Sequence, residues 1–319
     1  MSDTAVRPGR PRLDPRKFRD PRVTADGSDR ASVALTGLKT LWFNTGTLCN
    51  LTCTNCYIES SPTNDRLQYL TLAEVDRFLD ELDRGFAADE IGFTGGEPFM
   101  NPDIIAMLGS ALGRGYRVLV LTNAMRPMMK CADALLALRE RFGERLRLRV
   151  SVDHHAEALH DLERGKGAWR RMLPGLRWLA ANGFHLSLAG RTMWAETEEQ
   201  LRAGFARLSA AEGLHLDTGD HERLVLFPEM DAEEDVPEIT TACWGILKVS
   251  PDAMMCASSR MVVHRKGEAA ASVAPCTLLP YETALDMGPD LESARAEVAL
   301  NHPHCARFCV LGGGSCSAA

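Results

Sequence analysis

Cys49-Asn50-Leu51-Thr52-Cys53-Thr54-Asn55-Cys56-Tyr57 places three cysteines at CxxxCxxC spacing on one short stretch. Thiolates that close can bind three corners of a single iron–sulfur cluster. Three protein ligands on a four-iron cube leave one iron open, and an open iron can be chelated by a small molecule. The stretch therefore points to cofactor chemistry rather than simple electron carriage. Spacing alone leaves two alternatives: cysteines two or three residues apart also build zinc sites, and single cysteines also serve as buried hydrophobes.

Thr94-Gly95-Gly96-Glu97-Pro98 follows the apolar run Ile91-Gly92-Phe93 directly. Two glycines at a strand end let the backbone come close to a ligand, and a carboxylate with exposed main-chain groups can hold an ammonium. In that order, CNLTCTNCY and GGEP resemble the radical S-adenosylmethionine (radical SAM) superfamily. The resemblance implies that Cys49, Cys53 and Cys56 hold a [4Fe–4S] cluster. Its open iron would bind the amino and carboxylate groups of SAM. Gly95, Gly96 and Glu97 would then hold the amino group, with Tyr57 beside them in the cofactor-binding set.

At 319 residues and 45% hydrophobic, the chain can bury one large core and a smaller unit. A formal charge of −7 argues against a broad nucleic-acid-binding face. The longest apolar runs, such as Val118-Leu119-Val120-Leu121, are too short to span a membrane, and the N-terminus is polar where a signal peptide needs an apolar segment. The expected location is the cytosol, without a membrane or nucleic-acid partner. Ten cysteines in a reducing compartment are better explained by metal ligation than by disulfides.

Residues 1–35 carry eight Arg or Lys against five Asp, four prolines and little apolar periodicity, and read as a flexible, solvated tail. From Thr40 onward strands and helices alternate, the pattern of a parallel sheet covered by helices. Strands are expected at 41–44, 91–93, 116–121, 146–152, 184–189 and 224–227. Thr71 with Glu74 predicts a capping box for a helix to about Arg84, and Asn101-Pro102 predicts the start of the next. Further helices are expected over 132–142, 169–181 and 196–212. Cys131 reads as core packing. The fold class is α/β, and six strands with connecting helices resemble the family's partial (β/α)6 barrel, here residues 36–232. Its chemistry would lie at the carboxyl ends of the strands.

The resemblance places several strand-end residues. Ser151 and Asp153 match a polar fourth strand end that contacts the SAM ribose or carboxylate, although such residues also cap turns. Arg191 suits the SAM carboxylate, because its planar fork binds carboxylates bidentately; a surface ion pair is the alternative. His160-Asp161 and Arg164-Gly165 resemble a segment of related enzymes with extra clusters and read as structural. His154-His155 departs from the family pattern, which usually has glycine directly after that aspartate, so the pair are candidates to contact substrate or move protons, against exposed loop histidines. Glu229 and Asp231 are candidate bases, against a solvated rim.

An acidic stretch at 231–237 reads as a linker to residues 233–319, where Cys243, Cys256, Cys276, Cys305, Cys309 and Cys316 lie. A turn at Val249–Ala253 would make a hairpin that brings Cys243 to Cys256. The glycine-rich tail can wrap a cluster. These features resemble the SPASM or shorter twitch extensions, which hold auxiliary [4Fe–4S] clusters. Six cysteines where the full pattern has seven imply one auxiliary cluster, held by Cys243, Cys256 and two tail cysteines. A second cluster, or zinc, is the alternative.

The implied reaction begins with a low-potential donor such as flavodoxin or ferredoxin. SAM is cleaved to a 5′-deoxyadenosyl radical, which abstracts hydrogen from a C–H bond, and an auxiliary cluster across the cavity favours oxidation or bond formation. No winged-helix-like leader-binding domain precedes residue 40, so a small-molecule substrate is the first expectation. A peptide- or protein-modifying maturase is the second, and a non-catalytic iron–sulfur carrier the third.

Overall fold

A computed structural model describes residues 11–314. Its ten strands are β1 (Ser32–Val33), β2 (Thr40–Asn44), β3 (Glu90–Thr94), β4 (Arg117–Thr122), β5 (Leu146–Asp153), β6 (His185–Arg191), β7 (Leu224–Phe227), β8 (Ser259–Val263), β9 (Ser272–Ala274) and β10 (Val298–Ala299). The helices are α1 (Leu72–Gly85), α2 (Ile104–Gly113), α3 (Arg126–Met129), α4 (Ala132–Phe142), α5 (Glu157–Arg164), α6 (Ala168–Ala181), α7 (Glu198–Glu212) and α8 (Cys243–Leu247). Strands β2 to β7 are parallel neighbours in chain order, the partial barrel expected.

Alternation along the strands sorts the two faces. Leu41 and Phe43, Ile91 and Phe93, Val118 and Val120, and Leu148 and Val150 point to the helices, where they form one buried cluster with Val75, Phe78, Leu79 and Leu82 of α1. Phe43 stacks on Phe93 with centroids 5.5 Å apart. The capping box of Thr71 and Glu74 starts α1 as expected. Asn101 instead ties loops together: its Nδ2 donates to Thr45 O at 3.0 Å and Leu70 O at 2.9 Å, and α2 starts at Ile104.

The concave face divides in two. Over β2, β4 and β8 it is apolar, and Trp42, Leu119 and Met261 join a second core cluster with the C-terminal cysteines. A Cβ on Gly92 would stand 2.3 Å from Trp42, so only glycine fits below the indole. Over β5 it is polar, because Arg149, Ser151 and Asp153 alternate with Leu148, Val150 and Val152. β8 extends the barrel sheet in parallel with β2, and β9 adds to it antiparallel.

Two expectations need correction. Residues 11–35, read as part of a solvated tail, are docked. β1 pairs with β10, Lys17 Nζ bonds Asp235 at 2.7 Å, and the buried Arg30 meets Glu238 at 2.5 Å. The acids of the linker and its neighbour Glu238 supply the countercharges that composition alone could not assign. The rest of that stretch, residues 1–10, lies outside the described residues. The hairpin expected between Cys243 and Cys256 is also replaced, by α8 and two single 3-10 turns at Pro251–Ala253 and Met255–Ala257. Ser250 caps the first of these turns, so the Ser-Pro-Asp signal made a helical turn and not a strand reversal. No described helix is long and apolar enough to cross a membrane.

Candidate active site

The cysteine loop leaves β2 and is pinned from several sides. Cys49 N donates to Ser61 O at 3.0 Å, Asn123 Nδ2 to Asn50 Oδ1 at 2.9 Å, and Tyr281 OH to Ile58 O at 2.7 Å. Glu163 at the end of α5 accepts from Asn55 N (2.9 Å) and Asn55 Nδ2 (2.7 Å), which fixes the turn between Cys53 and Cys56. Cys49, Cys53 and Cys56 all line one cavity at the carboxyl ends of the strands, together with Tyr57, Gly95, Gly96, Ser151, Asp153 and Arg191. Backbone amides point at two of the sulfurs, Leu51 N to Cys49 Sγ and Ser60 N to Cys56 Sγ.

The glycine pair acts on the loop itself. Gly96 N donates to Gly46 O at 2.8 Å and Glu97 N to Leu48 O at 3.2 Å. A Cβ on Gly95 would stand 2.5 Å from Gly46 O, and one on Gly96 2.3 Å from Leu48 O. Gly95 also has φ +139°, a region suited to glycine. The strand end can thus lie directly against the cysteine loop.

Glu97 departs from expectation. Its carboxylate is turned away from the cavity: it is 2% exposed and accepts from Thr122 Oγ1 (2.9 Å), Asn123 N (2.8 Å) and Phe99 N (3.3 Å). Burial pushes it up to about 7 against those bonds. The carboxylate joins β3 to β4, and the glycine backbone is what faces the cavity.

Arg164, read from the sequence as structural, lies in the cavity wall. It grips Asp153 with two bonds, Nε to Oδ2 at 2.5 Å and Nη2 to Oδ1 at 3.2 Å. Asp153 sits at φ +54° beyond a register shift, which turns its side chain to both Arg164 and Arg191; despite burial, the two guanidiniums hold it below the usual carboxylate range. Arg191 donates Nη2 to Asn55 O at 3.0 Å, and its buried Nη1 has no partner. Arg149 lines the cavity lower on β5. The signal for it was the period-two run Arg149, Ser151, Asp153, which sequence reasoning used only at its end.

His154, His155 and Glu229 are not in the cavity wall among the described residues. Both histidines turn to Glu196, His154 Nε2 at 2.6 Å and His155 Nε2 at 3.1 Å from its oxygens, and His155 packs where Gly204 leaves room on α7. The Ala156 amide donates to His154 Nδ1 at 2.9 Å, so Nε2 carries the proton toward Glu196 and has no lone pair for a metal. Glu229 falls between the wall residues Phe227 and Met230.

A second, apolar cavity is lined by Cys256, Cys276, Cys305, Cys309 and His304. Cys243, expected among these ligands, is not in this wall: at the start of α8 it takes the Thr240 N–H at 3.4 Å and packs, partly buried, against the same core cluster. Cys316 lies outside the described residues. Cys305 and Cys309 are on one π-helical segment, Cys305–Leu311. Arg260, fully buried, donates to Cys256 O, Ser259 O, Ala294 O and Ala296 O, and its charge bears on both Cys256 and Cys276. Leu278 belongs to the walls of both cavities, and Phe308 to the first.

The donor sets fit metal clusters. Burial pushes Cys49 up to about 12, and Cys53, opposed by Arg164, to about 11; in the second cavity Cys256 rises to about 11 and Cys305 to about 12. Sulfurs so desolvated become thiolates when a metal displaces their protons. Two amides aimed at sulfur in the first set, and a guanidinium beside each set, supply compensating charge.

The model of the Radical SAM superfamily matches residues 43–203. Over 192 residues the chain is 27% identical to the antilisterial bacteriocin subtilosin biosynthesis protein AlbA of Bacillus subtilis (strain 168), covering 58% of this chain and 41% of AlbA. It is 29% identical over 136 residues to the mycofactocin maturase MftC of Mycobacterium ulcerans (strain Agy99), 43% of this chain and 35% of MftC. The matched region thus spans less than half the length of either relative. The solved Streptococcus suis SuiB bound to S-adenosylmethionine aligns with TM-score 0.58 at 12% identity, covering 79% of this chain and 63% of SuiB, a likeness of fold. With half of its length matched by the family model and three thiols converging beside the glycine strand end, this chain belongs to the radical SAM superfamily, whose enzymes use a [4Fe–4S] cluster and S-adenosylmethionine.

Proposed function

We propose that the chain is a radical SAM enzyme that oxidatively modifies a peptide, with a second iron–sulfur cluster at Cys256, Cys276, Cys305 and Cys309. Residues 36–232 would be the catalytic barrel and 233–319 the auxiliary-cluster module. The observation that carries the oxidative reading is the shared wall: Leu278 borders both cavities. A hydrogen atom removed on one side and an electron taken up on the other sum to a two-electron oxidation. The peptide reading rests on the maturase and bacteriocin relatives, and on SuiB also being solved with its precursor peptide SuiA.

With its cluster and SAM bound, the first cavity supplies a 5′-deoxyadenosyl radical that abstracts hydrogen from a substrate C–H bond. Arg191 would offer its unpartnered Nη1 to the SAM carboxylate, and the Gly95–Gly96 backbone, which lines the cavity, would hold the amino group. Asp153 orients Arg164 and Arg191 together. Phe227 and Phe308, stacked at 5.8 Å, exclude water on the far side with Leu278.

The test is 5′-deoxyadenosine formation under dithionite by anaerobically reconstituted protein, with peptide and small-molecule candidates supplied separately. Turnover stimulated only by a peptide, and abolished by Cys53→Ala, is expected. Stimulation only by small molecules would restore the first expectation from the sequence, and full activity of the Cys53 variant would sink the site.

A further inference from the structure

One polar group in the second cavity is left uncommitted by any of this. Among the described residues four thiols surround that cavity, and a four-iron cube has four corners to fill. His304 is therefore a fifth donor with no iron to ligate. It is 8% exposed, it lines the cavity, and its buried Nδ1 has no hydrogen-bond partner. An orphaned imidazole nitrogen in an apolar chamber is costly unless something polar arrives to meet it. The His302 ring is fixed beside it: the His304 backbone N donates to His302 Nδ1 at 3.1 Å, and the two rings pack 4.7 Å apart. The next residue, Cys305, opens the π-helical segment.

We propose that His304 Nδ1–H donates a hydrogen bond to a sulfur of the cluster held by Cys256, Cys276, Cys305 and Cys309, raising its reduction potential. The inference rests on the auxiliary-cluster reading above. The neutral Nδ1–H tautomer presents the required proton. A donor at sulfur stabilises the reduced cluster, which carries one more negative charge, over the oxidised one. His304 is thus a positioning and tuning residue, matched to a cluster that must accept an electron from the substrate side.

The experiment uses the full chain, reconstituted anaerobically and poised in a redox titration followed by electron paramagnetic resonance. The signal that SAM does not alter reports the C-terminal cluster. His304→Leu should move its potential to more negative values, while His304→Asn, which keeps an amide donor, should restore most of the shift. In the unsubstituted protein, pulsed double resonance should find a coupled proton lost in D2O and only weak coupling to 15N-labelled histidine. An unchanged potential in the Leu variant with iron retained overturns the inference and leaves the second cluster standing. Strong nitrogen coupling overturns it by making His304 an iron ligand. If the unsubstituted protein has no SAM-insensitive signal, the auxiliary-cluster reading fails and takes this inference with it. Should the Leu variant lose iron, the proton and nitrogen couplings of the unsubstituted protein still decide.

Discussion

Glu97 shows how one residue can be found in the sequence and misassigned in its action. The motif located it, and the structure gives its carboxylate to Thr122, Asn123 and Phe99. The choice depends on which way a side chain leaves the turn, which spacing does not encode. Because burial raises this group from 4.5 to about 7, the folded chain holds its proton where the unfolded chain has lost it. The stability penalty of ionising it therefore grows as pH rises from about 4.5 and is complete above about 7. In metal-free protein, urea unfolding of the unsubstituted chain should weaken relative to Glu97→Gln by about 3 kcal/mol across that window. Parallel pH profiles would show that Glu97 stays charged throughout. Arg164 is the complementary case. Its place in the wall is set by the eleven-residue reach back to Asp153, a contact no local pattern announces.

At the scale of elements, the cysteine loop is positioned by its neighbours more than by itself. The β3 end presses on it from one side, α5 holds Asn55 from another, and the β4 end reaches Asn50. Glycine is required at the first contact, since a methyl on Gly96 meets backbone and not a movable side chain. Gly96→Ala should therefore displace the loop and lower SAM cleavage about a hundredfold, with the far-UV circular dichroism unchanged. Turnover at the unsubstituted rate would mean that the contact has slack. The strands and helices themselves were legible: alternation and 3.6-residue periodicity placed all six barrel strands, because each buries a face against helices that must match it. The helical turns at 251–257 were misread, since Ser-Pro-Asp opens a 3-10 turn as readily as a β-turn and only packing decides.

At the scale of the molecule, the N-terminal stretch and the cysteine-rich region are bound together. Arg30 has no exposed side-chain surface, and Glu238 answers it while accepting from Phe18 N and Ala25 N. Removing the carboxylate strands a buried guanidinium, so Glu238→Ala should cost about 3–5 kcal/mol in urea unfolding. A midpoint equal to that of the unsubstituted chain would make the docking incidental. The sequence by itself determined the family, the order of the six barrel strands and their main helices, and the three thiols of the first site, because these follow from local spacing and periodicity. It also marked Gly95, Gly96, Ser151, Asp153 and Arg191, whose positions at strand ends are set by the barrel pattern. Only the tertiary structure put Cys276, and not Cys243, in the wall of the second cavity with Cys256, Cys305 and Cys309, and turned His154 and His155 to Glu196 and away from the first cavity. It alone brought Leu278 between the two chambers. Those outcomes depend on contacts between segments far apart in the chain, where direction and burial are settled by packing and not by any residue's neighbours in sequence.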